Sequence, residues 1–308
     1  MKPIIGQQNQ EMMTKEKPER LSLIGKYPIV WFFILALLLG AGTLYLVIQG
    51  VIPTDLALSS VLSASIAGII MTAILDGRAG LKLMLRRVLI WRVGIGYWLF
   101  SMLFLVPAIF LGSLLNPLFN GDPISLSNMK PAFNILPMFI VFFIVAGLGQ
   151  ELGWTGFLMP RLQAHFGAFA SSVIRAILVG IWHLPLFIYA GFHLYALPDF
   201  PYGFWIVQKG FPVAFSVMIV MFSLPWSILY TWMFNNTRGS LLLVAILHGS
   251  EIWLVSFMMS MGINPENLDN YWGYGTVMVL TAIIVVIVSG SQNLSRKHKR
   301  VVYRQMHG

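Results

Sequence analysis

Eight apolar stretches of about 20 residues recur along this chain, at about 29–49, 58–75, 94–115, 133–150, 171–190, 212–233, 240–260 and 273–290. In hydrocarbon a backbone must satisfy its own polar groups, so each such stretch is expected to fold as a spanning helix. The fourth is short, and its apolar run passes directly into the segment that holds Glu151. Charged residues make up 10% of the chain and hydrophobic ones 57%, far from the roughly 25% charge of soluble domains. The sequence therefore predicts an all-α fold. It is a polytopic integral membrane bundle of about eight transmembrane helices, a multi-pass protein of the cell membrane.

Charge sets the expected orientation. With the N-terminus in the cytoplasm, all but Lys130 and Lys209 of the 20 Lys and Arg residues fall on the inner side, as the positive-inside rule asks of a chain with both termini cytoplasmic. Arg161 and Arg175 count here as inner-side charges. The net charge of +9 is then topological, so the lipid bilayer is the implied partner and nucleic acid is not. Residues 1–27 read as a flexible cytoplasmic N-terminal segment, 28–292 as a single transmembrane helical domain, and 293–308 as a basic cytoplasmic tail suited to anionic lipid. Basic residues between Arg78 and Arg92 alternate with Leu81, Leu83, Leu85 and Leu89, a pattern that predicts an interfacial helix. The aromatic connection 191–212 reads as an interface belt, and His165 and His193 as histidines of loops or span ends. The sequence contains no cysteine, so neither disulfides nor thiolate chemistry are available.

Against this apolar background stand Glu151, His183, His248 and Glu251. An ionisable group in mid-membrane costs roughly 2.5–3.5 kcal/mol even on lenient scales, which favours a shared site over scattered packing residues. Three strings carry them. The first is Gly149-Gln150-Glu151-Leu152-Gly153-Trp154-Thr155-Gly156, continuing to Pro160-Arg161-Leu162, where a buried carboxylate can polarise water. In the second, Gly180-Ile181-Trp182-His183-Leu184-Pro185, the proline is expected to open or kink the helix beside the imidazole. The third runs from Asn236-Thr237-Arg238-Gly239-Ser240 to His248-Gly249-Ser250-Glu251-Ile252. Its His248 and Glu251, three residues apart, share a helix face.

Together these strings resemble the CAAX-protease and bacteriocin-processing (CPBP) family of intramembrane endopeptidases, over about residues 80–260. That family carries Glu-Glu-x-x-x-Arg, then a Trp-His-x-Pro-like motif, then His-x-x-x-Asn. The resemblance implies hydrolysis of peptide bonds in a peptide or lipid-anchored protein substrate, with Gln150, Glu151, His183, His248 and Glu251 as the candidate catalytic set. Three positions depart from the pattern: Gln150 stands for the first glutamate, Thr155 for the arginine and Ile252 for the asparagine. A glutamine orients water but accepts no proton, so Glu151 and Glu251 are expected to take over, one helping to activate water and the other orienting His248 or binding a metal. His183, His248 and Glu151 suit Zn²⁺ in ligand type. Two other functions stay open at this point. One is a catalytically impaired scaffold, regulator or bacteriocin-immunity protein. The other is a proton-coupled transporter, which the lack of an internal repeat disfavours.

Overall fold

A short helix, α1 (Glu19–Lys26), leads into the first long apolar helix, α2 (Pro28–Ile48), which opens on a proline whose missing N–H costs a first turn nothing. The computed structural model describes residues 19–125, 135–192, 206, 209–251, 253–264 and 267–303, all helical or irregular with no strand among them. The segment 19–26, expected from composition to be loose, is thus helical. A 3₁₀ stretch (Thr54–Leu62) feeds α3 (Ser63–Val88). Two shorter helices follow, α4 (Ile95–Leu103) and α5 (Leu105–Leu115). Then come α6 (residues 135–165), α7 (Ala168–Phe192), α8 (Phe211–Asn236), α9 (Leu241–Glu251), α10 (Trp253–Ser260) and α11 (Trp272–Ser289).

Six of these helices are long and apolar enough to cross a membrane, and α4 with α5 forms a seventh candidate bent by 44°. The eighth expected span, 240–260, is seen as the shorter α9 and α10 on either side of Ile252, which lies outside the described residues. The protein is a multi-pass membrane helix bundle. The basic stretch expected as an interfacial helix is helical as far as Val88. Gly77 adopts φ 59°, ψ −153° inside α3, a backbone conformation open to glycine alone. This turn separates the apolar part of α3 from the basic stretch that follows, which stays helical to Val88.

Glycines let the helices that carry the site approach closely. A Cβ on Gly68 would lie 2.7 Å from the Gly153 Cα, and one on Gly249 would lie 2.8 Å from the Phe143 Cα. Small residues at crossings are how membrane helices gain packing without a hydrophobic drive between them. Where α6 is clasped in this way it departs from α geometry, with π-helical stretches at Phe143–Leu148 and Leu152–Leu158 flanking Gly149–Glu151. Such bulges concentrate at functional sites. Ser65 of α3 donates to the Leu148 carbonyl at 2.8 Å, bracing the first bulge. Phe32, Trp154, Phe157 and Trp182 interlock beside it at ring separations of 5.1–5.5 Å, fixing α2, α6 and α7 to one another.

Residues 293–303, expected as a surface tail, are instead stitched to the bundle. Buried Asn235 donates to the Asn293 carbonyl and accepts from the Val301 N–H. Asn236 donates to the Leu294 carbonyl, and Gln163 donates to the Val301 carbonyl. Tyr303 donates through its N–H to the Pro160 carbonyl at 2.8 Å and through its hydroxyl to Asp76.

Candidate active site

Glu151 sits between the two π-bulges of α6 and is fully buried. Its carboxylate accepts from donors in three directions. Arg175 Nη2 of α7 donates to Oε1 at 2.7 Å, His248 Nδ1 of α9 reaches the same oxygen at 2.7 Å, and the Thr155 hydroxyl, one turn along α6, donates to Oε2. The second Arg175 nitrogen, Nη1, donates to Ser227 Oγ of α8 at 2.9 Å. Three helices thus meet at one carboxylate, and a fourth, α8, is tied in through Arg175. In a dry interior an ion pair is best tolerated when hydrogen bonds fill the remaining positions; here the Thr155 hydroxyl and Ser227 Oγ fill two of them, and Arg175 Nε stays buried without a hydrogen bond among the described residues.

The arrangement sets the direction of the His248 contact. A carboxylate oxygen only accepts, so His248 Nδ1 donates to Glu151 and Nε2 is the candidate basic nitrogen of the ring. Tyr230 stacks on the imidazole at 5.1 Å and 22°, and Arg175 lies over the same tyrosine ring at 4.9 Å. The ring is therefore fixed in both tautomer and plane.

His183 is set in the same way by a different partner. Its Nδ1 lies 2.9 Å from the Val179 carbonyl, which can only accept, so Nε2 is again the basic nitrogen. Helix α7 runs on through Pro185 to Phe192, so the proline does not end the helix beside the imidazole. Gly40, Ser60, Trp182 and His183 line a small void of about 10 Å³, close to the least that one water needs. His183 lies two helical turns from Arg175, roughly 12 Å along the axis of α7, and is close enough to His248 for the two to interact electrostatically.

The structure thus joins Glu151 to His248, places His183 within electrostatic range, and buries Gln150 at 6% exposure. Glu251 belongs to α9, but its side chain lies outside what is described, as does Ile252. Of the two glutamates open for that role, the one seen in contact with His248 is Glu151. Thr155 is not merely a lost arginine, because its hydroxyl donates to Glu151. Arg175 and Arg161, counted by side as inner charges, are buried at 2% and 5% exposure. Arg175 serves the site, and Arg161 pairs with Asp76 at 2.7 Å. Arg175 was discoverable in sequence as an arginine within the same apolar run as His183, eight residues before it and roughly 80° away around the helix.

Zinc fits this donor set poorly. No group of three or more His, Cys, Asp or Glu side chains gathers in metal-binding geometry among the described residues. The Glu151 oxygens are already used, and a guanidinium beside them opposes a second cation.

Comparison with known proteins points the same way as the geometry. Residues 132–254 match the family described as "Type II CAAX prenyl endopeptidase Rce1-like". The protein "CAAX prenyl protease 2" of Methanococcus maripaludis is 29% identical over 147 residues, 47% of this chain and 50% of the relative. The chain therefore matches about half the length of that curated relative. The matched family segment runs from ahead of Gln150-Glu151, through Trp182-His183, to just beyond His248, and over this stretch the chain is similar to the Rce1-like CAAX prenyl endopeptidases.

Proposed function

We propose that the protein is a membrane-embedded endopeptidase that hydrolyses a peptide bond in a membrane-associated protein or small peptide precursor, with His248 as general base. The observation that carries this reading is the 2.7 Å contact between His248 Nδ1 and buried Glu151. Gln150 cannot accept a proton, and the Glu151 oxygens are occupied, so the basic Nε2 of His248 is the group best prepared to take a proton from water. As the water oxygen adds to the scissile carbonyl, its proton passes to Nε2. The imidazolium that forms is stabilised by the Glu151 carboxylate, then returns the proton to the leaving amine as the C–N bond breaks. His183, with Nδ1 committed to Val179, accepts a hydrogen bond from that water through Nε2 and positions it.

The test is cleavage of a membrane-anchored reporter peptide by the full chain in liposomes. His248→Ala and Glu151→Gln are each expected to lower turnover by about 10²–10⁴, and His183→Ala by a smaller factor. Undiminished cleavage by His248→Ala refutes the assignment.

One observation favours a second reading, a catalytically impaired relative that acts as a membrane scaffold. It is Gln150 at the position where the family places a glutamate. Two results would establish that reading: no turnover by the native chain, and activity gained by the paired change Gln150→Glu with Thr155→Arg.

A further inference from the structure

A cavity of about 400 Å³ opens where α3, α6 and the last described residues meet, and its charged lining is Asp76, Arg87 and Arg161. Asp76 is already matched. Its Oδ2 accepts from Arg161 Nη2 at 2.7 Å and its Oδ1 from the Tyr303 hydroxyl. Arg161 is matched too, donating to the Phe157 carbonyl at 3.0 Å and lying between the Phe157 and Tyr303 rings at 3.7 and 4.0 Å.

Arg87 has no such matching. It is half-buried, and its guanidinium approaches the face of Phe234 at 5.6 Å and makes no hydrogen bond or ion pair with any described residue. The charge that acts on it is the like charge of Arg161. With Asp76 neutralised by its own partners, the cavity keeps one cation in excess in partly desolvated surroundings. That condition is costly until an anion enters.

We propose that this cavity binds a phosphate group, with Arg87 as its principal ligand. Guanidinium presents a planar fork of five donors that matches phosphate oxygens. The volume exceeds what a lone carboxylate needs and leaves room for the rest of a phosphate ester. Arg87 belongs to the basic helical stretch beyond the Gly77 bend, with exposed Arg78, Lys82 and Arg86. Such amphipathic basic segments lie at the level of lipid headgroups. A lipid headgroup and a soluble phosphate ester offer the same chemistry here. The site is separate from the Glu151 cluster and does not depend on peptidase activity.

The test uses the full chain purified in phosphate-free detergent, with its thermal midpoint followed during titration. Dioctanoyl phosphatidic acid is expected to raise the midpoint saturably, whereas dioctanoyl glycerol, which lacks the phosphate, leaves it unchanged. Arg87→Gln is expected to weaken the apparent affinity by about tenfold or more, the loss of a charge-assisted contact, and exposed Lys82→Gln by less than about twofold. Should Arg87→Gln fail to fold, Arg87→Lys keeps the charge without the fork and is expected to weaken binding several-fold. Inorganic phosphate producing the same Arg87-dependent shift identifies a soluble source, and inertness of inorganic phosphate beside a response to phosphatidic acid identifies the lipid. Equal stabilisation by dioctanoyl glycerol, no response to either phosphate probe, or unaltered affinity in the Arg87 variants overturns the proposal.

Discussion

Replacing Arg175 by methionine removes the guanidinium from a carboxylate that has no exposed surface. Breaking one side of a buried ion pair costs about 3–5 kcal/mol, most of it the penalty of the charge left behind. Here the remaining donors, His248 Nδ1 and the Thr155 hydroxyl, keep two of the three contacts to Glu151, so the lower end of that range is expected. Glu151→Gln leaves the opposite orphan, a guanidinium whose remaining described side-chain contacts are Ser227 Oγ and the Tyr230 ring. The double variant Glu151→Gln/Arg175→Met leaves neither charge, and is expected to be less destabilised than the two single losses added together. The coupling energy should be at least about 2 kcal/mol, roughly a 30-fold change in the unfolding equilibrium. Reversible unfolding of the full chain in mixed detergent–denaturant micelles measures it. Single losses that add to within about 0.5 kcal/mol would show that the two side chains act independently, and the buried network would then not be the organising feature of the site.

Two further outcomes test the fold around that network. Burial, helped by the hydrogen bond to Asp76, pushes the Tyr303 hydroxyl up to about 12. Because the docked value lies above the unfolded value of about 10, the contribution of Tyr303 is fully present below that pH and is lost as pH rises through the docked value. Spectrophotometric titration against Tyr303→Phe should show one tyrosine ionising late, and its absence would mean that residues 293–303 are not seated on the bundle. Gly153→Ala would drive a methyl into the Ala64 carbonyl and is expected to cost about 1–3 kcal/mol by overpacking. Gly42→Ala, which meets nothing within 4 Å, should leave the denaturation midpoint nearly unchanged.

What the sequence made legible was whatever rests on length and hydropathy. The long apolar runs became helices, and the basic stretch beyond Gly77 became helical to Val88, because both follow from burial of apolar surface and local periodicity. Glu151 and His248 were also visible, since ionisable residues contrast with their apolar neighbours. The part that stayed hidden is pairing between distant segments. Arg175 and Arg161 are charged residues near span ends, where a count of topological charges absorbs them. Only the approach of α7 to α6, and of α3 to α6, shows that each is buried against a carboxylate. Asn235 and Gln163 are similar cases. Their burial depends on residues 293–303 returning across the bundle, a contact with no local signature.

The two departures in α6 bear on each other through charge. Relative to the family pattern, Gln150 removes one acid and Thr155 removes one base from the same helix, so the segment's net charge is unchanged. A buried site cannot lose one without the other at low cost, because the remaining charge would be stranded in a low dielectric. The carboxylate that remains, Glu151, is balanced from α7 by Arg175, while Thr155, too short to carry charge, donates a neutral hydrogen bond. This is why Gln150→Glu alone is a poor test of lost activity: it would add an unbalanced carboxylate and confound catalysis with stability. The paired change with Thr155→Arg keeps the charge constant, so any turnover it gains reports on the chemistry of position 150 rather than on the folding of α6.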